Sequence, residues 1–276
     1  MKHRPFATIR IGLPTLLALA VFLSATPVYA ADPVLTVTQK QAYDKTVAGA
    51  DSAAAAKLKE QYQVYESLLK SSRDLDQKTS ALHKQNSAKE AALRKQIGQI
   101  DAAKLDKLKQ AYEQAKSQYR KFKTLHQAAN QQLSLAKKLK NRLLTSICQA
   151  QVDSLKLTMQ WARQANLAKE TAHATARKSA QEKMKRIRAI LGGIDPLQAQ
   201  IRDAKRTWKA PKDDRADAWK TFKQALAKRD AKSAANLLAT VNSRTKQLIE
   251  RQQRVYDLEN QIAGLNRTAE AQLKLA

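Results

Sequence analysis

Residues 108–150 read LKQAYEQAKSQYRKFKTLHQAANQQLSLAKKLKNRLLTSICQA. Their apolar positions advance in alternating steps of four and three: Leu108, Tyr112, Ala115, Tyr119, Phe122, His126, Ala129, Leu133, Ala136, Lys140, Leu143, Ile147, Ala150. Such steps keep one side of an α-helix against a partner helix, and they do not fit the two-residue alternation of a strand. Continued over about six heptads, the pattern predicts a long helix with a coiled-coil seam. His126 and Lys140 are polar residues on that seam, read as softening it locally or fixing its register.

Composition agrees. The chain has 276 residues with only six Gly and six Pro, and aromatic residues make up 5 %. Burial must therefore come from long seams of Leu, Ala and Ile. The expectation is an all-α fold, an elongated antiparallel helical bundle or coiled coil with a long central helix. Helix-stop signals divide it. Gly98 with Asp101 after it marks one break, and the capping-box spacing Ser87-Ala-Lys-Glu90 marks a second candidate. The firmest stop is Leu191-Gly192-Gly193-Ile194-Asp195-Pro196, followed by Ala210-Pro211 and by Asp230 as a helix cap. The expected helices are 38–98, 101–191, 196–209, 214–229 and 231–276. The first should lie antiparallel on the second, with 101–191 as the spine. Trp208 and Trp219 flank Pro211 and are expected to pack on each other or on that spine.

The first thirty residues read as an export signal. Lys2, Arg4 and Arg10 form a basic start, and Leu13–Leu23 is apolar for roughly 11 residues, short of the ~20 that span a bilayer. Val28-Tyr29-Ala30 places small residues where a signal peptidase cuts, so cleavage is expected after Ala30. No twin-arginine motif is present, and no Cys follows the cut to take a lipid. The expected organisation is a signal peptide at 1–30, a first helical arm at 31–100, a long basic central helix at 101–194, and C-terminal helices at 195–276 that pack back on the bundle. The protein is expected to be secreted or wall-associated, with no transmembrane segment once the signal is removed.

Charge is unevenly spread. The whole chain carries 51 Lys+Arg against 24 Asp+Glu, a net +27 that falls to +24 without the signal. Residues 31–113 hold 14 bases and 11 acids and residues 195–276 hold 17 and 10, whereas residues 114–194 hold 17 bases against Asp153, Glu170 and Glu182. No acid lies between Glu113 and Asp153. Like charges at i, i+4 repel by a few tenths of a kcal/mol each when no acid relieves them. A face kept in that state points to a polyanion. The candidate residues are Lys116, Arg120, Lys121, Lys123, Lys137, Lys138, Arg142, Arg177, Lys178, Lys185 and Arg188. Outside the cell the available polyanions are wall polymers, lipopolysaccharide, anionic lipid headgroups and released DNA. Export disfavours nucleic acid as the target, and no nucleic-acid-binding motif appears.

Catalytic chemistry has no signature in the sequence. His83, His126 and His173 show no metal-ligand spacing, and HExxH, paired CxxC, EF-hand, phosphate-loop and GxSxG patterns are all absent. No cofactor is expected. Cys148 is the single cysteine, read as a small apolar residue beside the seam or as the site of an intermolecular disulfide.

The segments Ile100-Asp-Ala-Ala-Lys-Leu-Asp-Lys-Leu, Ala189-Ile-Leu-Gly-Gly-Ile-Asp-Pro-Leu and Ala218-Trp-Lys-Thr-Phe-Lys-Gln-Ala-Leu-Ala-Lys-Arg-Asp-Ala carry a likeness. The chain resembles uncharacterised exported helical proteins of Gram-positive spore-forming bacilli. The resemblance implies no activity and no site residues. It implies an envelope without an outer membrane, which favours wall polymers over lipopolysaccharide. The expected function is thus a non-catalytic exported protein that associates with an anionic cell-wall polymer or another extracytoplasmic polyanion. Two alternatives remain open. One is a holdase-type chaperone, similar in outline to basic periplasmic chaperones with helical tentacles, although the strand-rich trimerisation core of that group is not evident here. The other is a coiled-coil scaffold binding a partner helix. A homo-oligomer is an expected possibility, since an uncovered seam drives self-association.

Overall fold

Thr36 begins the first helix with a reciprocal cap: its hydroxyl accepts from the Gln39 amide, and its own amide donates to Gln39 Oε1. Helix α1 (Val37–Ala48) stops at Gly49, and Asp51 caps α2 (Ser52–Ile97) by accepting from the Ala54 amide at 2.8 Å. Five helices follow: α3 (Ala102–Lys138), α4 (Arg142–Gly192), α5 (Ile194–Arg206), α6 (Lys209–Ala227) and α7 (Ala231–Lys274). They belong to a computed structural model that describes residues 33–275, so the signal expected at 1–30 lies outside the described residues. No strand occurs among the described residues, and the all-α helical bundle is as expected.

The central helix departs from expectation. Residues 101–191 do not form one helix; the chain reverses at Leu139-Lys140-Asn141, and α4 returns along α3. Asn141 makes the new start, its side chain accepting from the Leu144 amide at 3.1 Å. Lys140 turns the corner in the left-handed region, φ 53°. Seam positions Leu108 to Ala136 do face inward, with Ala129, Leu133 and Ala136 buried. Beyond the turn the inward positions shift to Cys148, Val152 and Leu155, leaving Leu143, Ile147 and Ala150 exposed. The 4-3 spacing ran unbroken across a reversal because those residues happen to keep its phase.

The spine is α7, on which α2, α4, α5 and α6 all pack. Helix α2 lies along α7, not along the central segment, and it lies parallel. Hydrogen-bonded partners on the two helices (Lys57 with Asn236, Asn242 with Gln61, Ser72 with Gln252, Asn266 with Asn86) stay 179 to 181 residues apart along the pair. A constant separation requires parallel chains, whereas an antiparallel pair keeps a constant sum. Of the other breaks, Gly98 and Asp230 hold. Ser87 lies inside α2, and Pro211 sits in the first turn of α6, where its missing N–H costs nothing. Trp208 and Trp219 enter different cores. Trp219 joins Tyr65 and Phe222 between α2, α6 and α7, and Trp208 packs with Ile201 and Leu248 nearer the end of α2.

Polar groups fix the α2–α7 register. Asn86 Nδ2 donates to the Glu259 carbonyl and to its Oε2, both at 2.8 Å, and His83 Nδ1 meets Oε1 at 2.8 Å. Glu259 is only 2 % exposed, while the His83 side chain is more than half exposed. The hydrogen bond to Glu259 raises the His83 pKa above 6.5, against the opposing effects of burial and Lys205. A raised folded pKa adds stability that is complete below the unfolded value and is lost as pH climbs through the folded one. The stability advantage of the native chain over His83→Gln should therefore shrink between pH ~6 and ~8, measured by urea unfolding. An advantage that grows with pH would contradict the pairing.

Lys140, Asp101 and Arg229 are the described non-glycine residues with positive φ, and each stands in a turn between two helices. That conformation costs an L-residue roughly 1–2 kcal/mol. Lys140→Gly should raise the unfolding free energy by about 0.5–1 kcal/mol, seen as a higher urea midpoint. A lower midpoint would place the corner elsewhere.

Candidate polyanion-binding face

The α3–α4 hairpin builds the face. Its inner seam is small and apolar near the turn and aromatic farther down, where Tyr112 stacks on His173 with centroids 6.3 Å apart and planes 9° from parallel. The Lys116 ammonium sits 5.2 Å from the Tyr112 ring centre, an arrangement worth about 0.5–1 kcal/mol at an exposed site. A hollow beside it is lined by Tyr112, Glu170, His173, Arg177 and Lys178.

The turn brings together bases that are distant in sequence. Counting helical phase outward from the seam, Lys116, Arg120, Lys123 and Lys137 on α3 share one side of the hairpin with Arg142 on α4. Lys156 and Arg163 belong to the same side and escaped the sequence reading. Their signal is the heptad spacing Arg142, Gln149, Lys156, Arg163, visible once α4 starts its own register at Asn141. Toward the base of the hairpin Arg177 and Arg188 continue this side, and Lys178 and Lys185 face outward beside them. Lys138 also points outward. Lys121 falls on the opposite edge, level with Leu125.

Ten of the eleven candidates are exposed, and Lys116 is half-buried over its ring. Among the described residues, none of the eleven has an acid within ion-pair distance. The contrast lies within the same chain. Elsewhere Lys40 pairs with Asp44, Lys89 with Glu270, Arg94 with Glu90 and Arg244 with Asp214. The Lys183–Asp101 pair at 3.0 Å closes the foot of the hairpin, where α4 meets the turn before α3.

Groups of His, Cys, Asp or Glu able to hold a metal ion are absent among the described residues, and no described helix is long and apolar enough to cross a membrane. Comparison with protein-family models, with curated proteins and with solved structures gave no match.

Cys148 is 8 % exposed and packs on Leu133 and Ala136 across the hairpin. Its thiol should react with an aromatic disulfide reagent at least tenfold more slowly in the native chain than in denaturant. Equal rates would mean that the hairpin opens readily at its tip.

Proposed function

We propose that this chain is an exported, non-catalytic helical protein that associates with anionic polymers of the cell envelope through the basic side of its α3–α4 hairpin. The observation that carries the reading is the lack of ion pairs there: Lys116, Arg120, Lys123, Lys137 and Arg142 lie on one side of two paired helices with no acid within ion-pair distance among the described residues, although Glu113, Asp153 and Glu170 share the phase of that side. A flexible polyanion laid along that side would meet Lys116, Arg120 and Lys123 with Lys156 and Arg163, and then, about 21 Å farther along α3, Lys137 beside Arg142. Each contact releases counterions, so affinity falls steeply with salt. Export rests on the basic, apolar and small-residue pattern of residues 1–30, and the wall rather than an outer membrane rests on the resemblance to proteins of spore-forming bacilli.

Retention on isolated cell-wall sacculi, with and without their anionic polymers, tests the proposal across rising salt. Binding should need the polymers and be lost by a few hundred millimolar salt. Replacing Arg120, Lys123, Lys138 and Arg142 with Gln should weaken it about tenfold or more at low salt. Replacing Lys84, Lys95, Lys209 and Lys220, which removes the same charge from the rest of the bundle, should change it far less. Equal losses from both sets would reduce the hairpin to a share of the net charge, and no binding at low salt would end the proposal.

A further inference from the structure

The side of α4 away from the bases carries a second stripe that no helix covers. Leu143, Ile147, Ala150, Ser154, Leu157 and Trp161 follow steps of four, three, four, three and four, and all six are exposed. The four large ones are 57 to 74 % exposed. Nine of the described large hydrophobics that face solvent lie between Leu125 and Leu167, all on this hairpin. The 4-3 spacing is that of a coiled-coil seam, here lacking its partner helix.

Its order is symmetric. Taken from either end the stripe reads large, large, small, small, large, large about position 152. A two-fold axis there sets Leu143 against Trp161 of a second copy, Ile147 against Leu157, and Ala150 against Ser154. Small residues at the crossing let the two backbones approach, while the large ones interlock on both sides. This self-complementarity is what an isologous interface requires. We infer that α4 pairs with α4 of a second copy of this chain, antiparallel, through the 143–161 stripe.

Charge permits it. The positions flanking the stripe are Leu144, Ser146, Gln151, Thr158 and Gln160, with Asp153 the one charged neighbour, already accepting from Gln149 Nε2 at 3.1 Å. Arg142, Lys156 and Arg163 point to the other side of the helix. Two copies can therefore meet through the stripe without opposing Arg142, Lys156 and Arg163, Lys121 beside Leu125 on α3 being the base nearest its edge, and each keeps its basic side open. Area is adequate as well. The four large side chains expose on the order of 500 Å² per copy, more than half of the ~800 Å² per partner in a standard interface. Leu125 and Leu139, on the same side of the hairpin, are placed to supply more. A lipid surface or an unfolded client would need neither the heptad spacing nor the symmetry.

Sedimentation equilibrium of the purified chain, together with directed cross-linking, tests the pairing. The expected species is a dimer, with Leu157→Glu raising its dissociation constant roughly a hundredfold while helix content by circular dichroism stays unchanged. In a Cys148→Ala background, Ala150→Cys mixed with Ser154→Cys should form a disulfide faster than either variant alone. A monomer at every concentration would overturn the inference. So would a dimer that Leu157→Glu leaves intact, or Ala150→Cys cross-linking fastest to itself, which would mean parallel helices. Monomers that bind anionic lipid vesicles through Leu157 and Trp161 would reassign the stripe to a membrane surface and overturn it equally.

Discussion

Two helices packed side by side in the same direction, more than a hundred residues apart in sequence, constrain everything between them. After Ile97 the chain stands at the far end of α2 and must return the full length before Ala231 can start α7 beside the first part of α2. Helices α5 and α6 make that return, running back along α7 with a kink at Thr207-Trp208. Together they hold 32 helical residues, roughly 48 Å of rise, against roughly 66 Å for the 44 residues of α7. Because α5 and α6 account for the return, α3 and α4 must together bring the chain back close to its departure point. They do so as a hairpin that leaves and re-enters the bundle at the Asp101–Lys183 pair.

What holds the parallel pair in register is polar more than apolar. A seam of Leu, Val and Ala alone tolerates a slip of one turn, because most apolar side chains in it are of similar size. Glu259 does not. Shifted by a turn, its buried carboxylate would lose both Asn86 and His83, and an uncompensated buried charge costs several kcal/mol. Asn242 on Gln61 and Ser72 on Gln252 repeat the logic at lower stakes. These groups contribute less to net stability than their number suggests, since each is desolvated, but they make alternative alignments expensive.

Local patterns in the sequence were informative where they were local. Asp230 and Gly98 mark true ends, and Leu108 to Ala136 is a true seam. The reversal at Lys140 was hidden for two physical reasons. It uses an ordinary L-residue with positive φ where glycine would have announced it, and the outward stripe of α4 continues the inward phase of α3 so closely that one long helix fits the spacing. Ser87 and Glu90 have capping-box spacing yet lie mid-helix, because α2 is held there by Asn86 and the side of α7. The pairing of α2 with α7 left no mark at all, since register between distant helices is decided by Glu259 and its partners, whose identity as a set appears only in three dimensions. The basic face was half legible: Lys116, Arg120 and Lys123 follow helix spacing, but Arg142, Lys156 and Arg163 join them only through the turn.

The same turn explains why the two sides of the hairpin differ. In a single two-helix pair each helix has one covered side, so about two-thirds of its surface meets solvent and the sequence there is unconstrained by burial. Random use of that freedom would mix charge and apolar residues around the helix. Instead seven bases, Lys116, Arg120, Lys123, Lys137, Arg142, Lys156 and Arg163, gather on one side, with Lys121 and Lys138 outside that group, and Leu143, Ile147, Leu157 and Trp161 gather on another. Keeping bases together raises their mutual repulsion, and keeping large apolar residues together enlarges the exposed patch; both are costs in an isolated molecule. Solubility alone is served better by mixing the two, as the bundle half does with Lys40–Asp44, Arg94–Glu90 and Arg244–Asp214. Segregation lowers free energy only when each side meets something different. Under the proposed function and pairing, an anionic polymer would offset the repulsion on one side and a second α4 would remove the exposure on the other, and neither would occupy the surface the other needs.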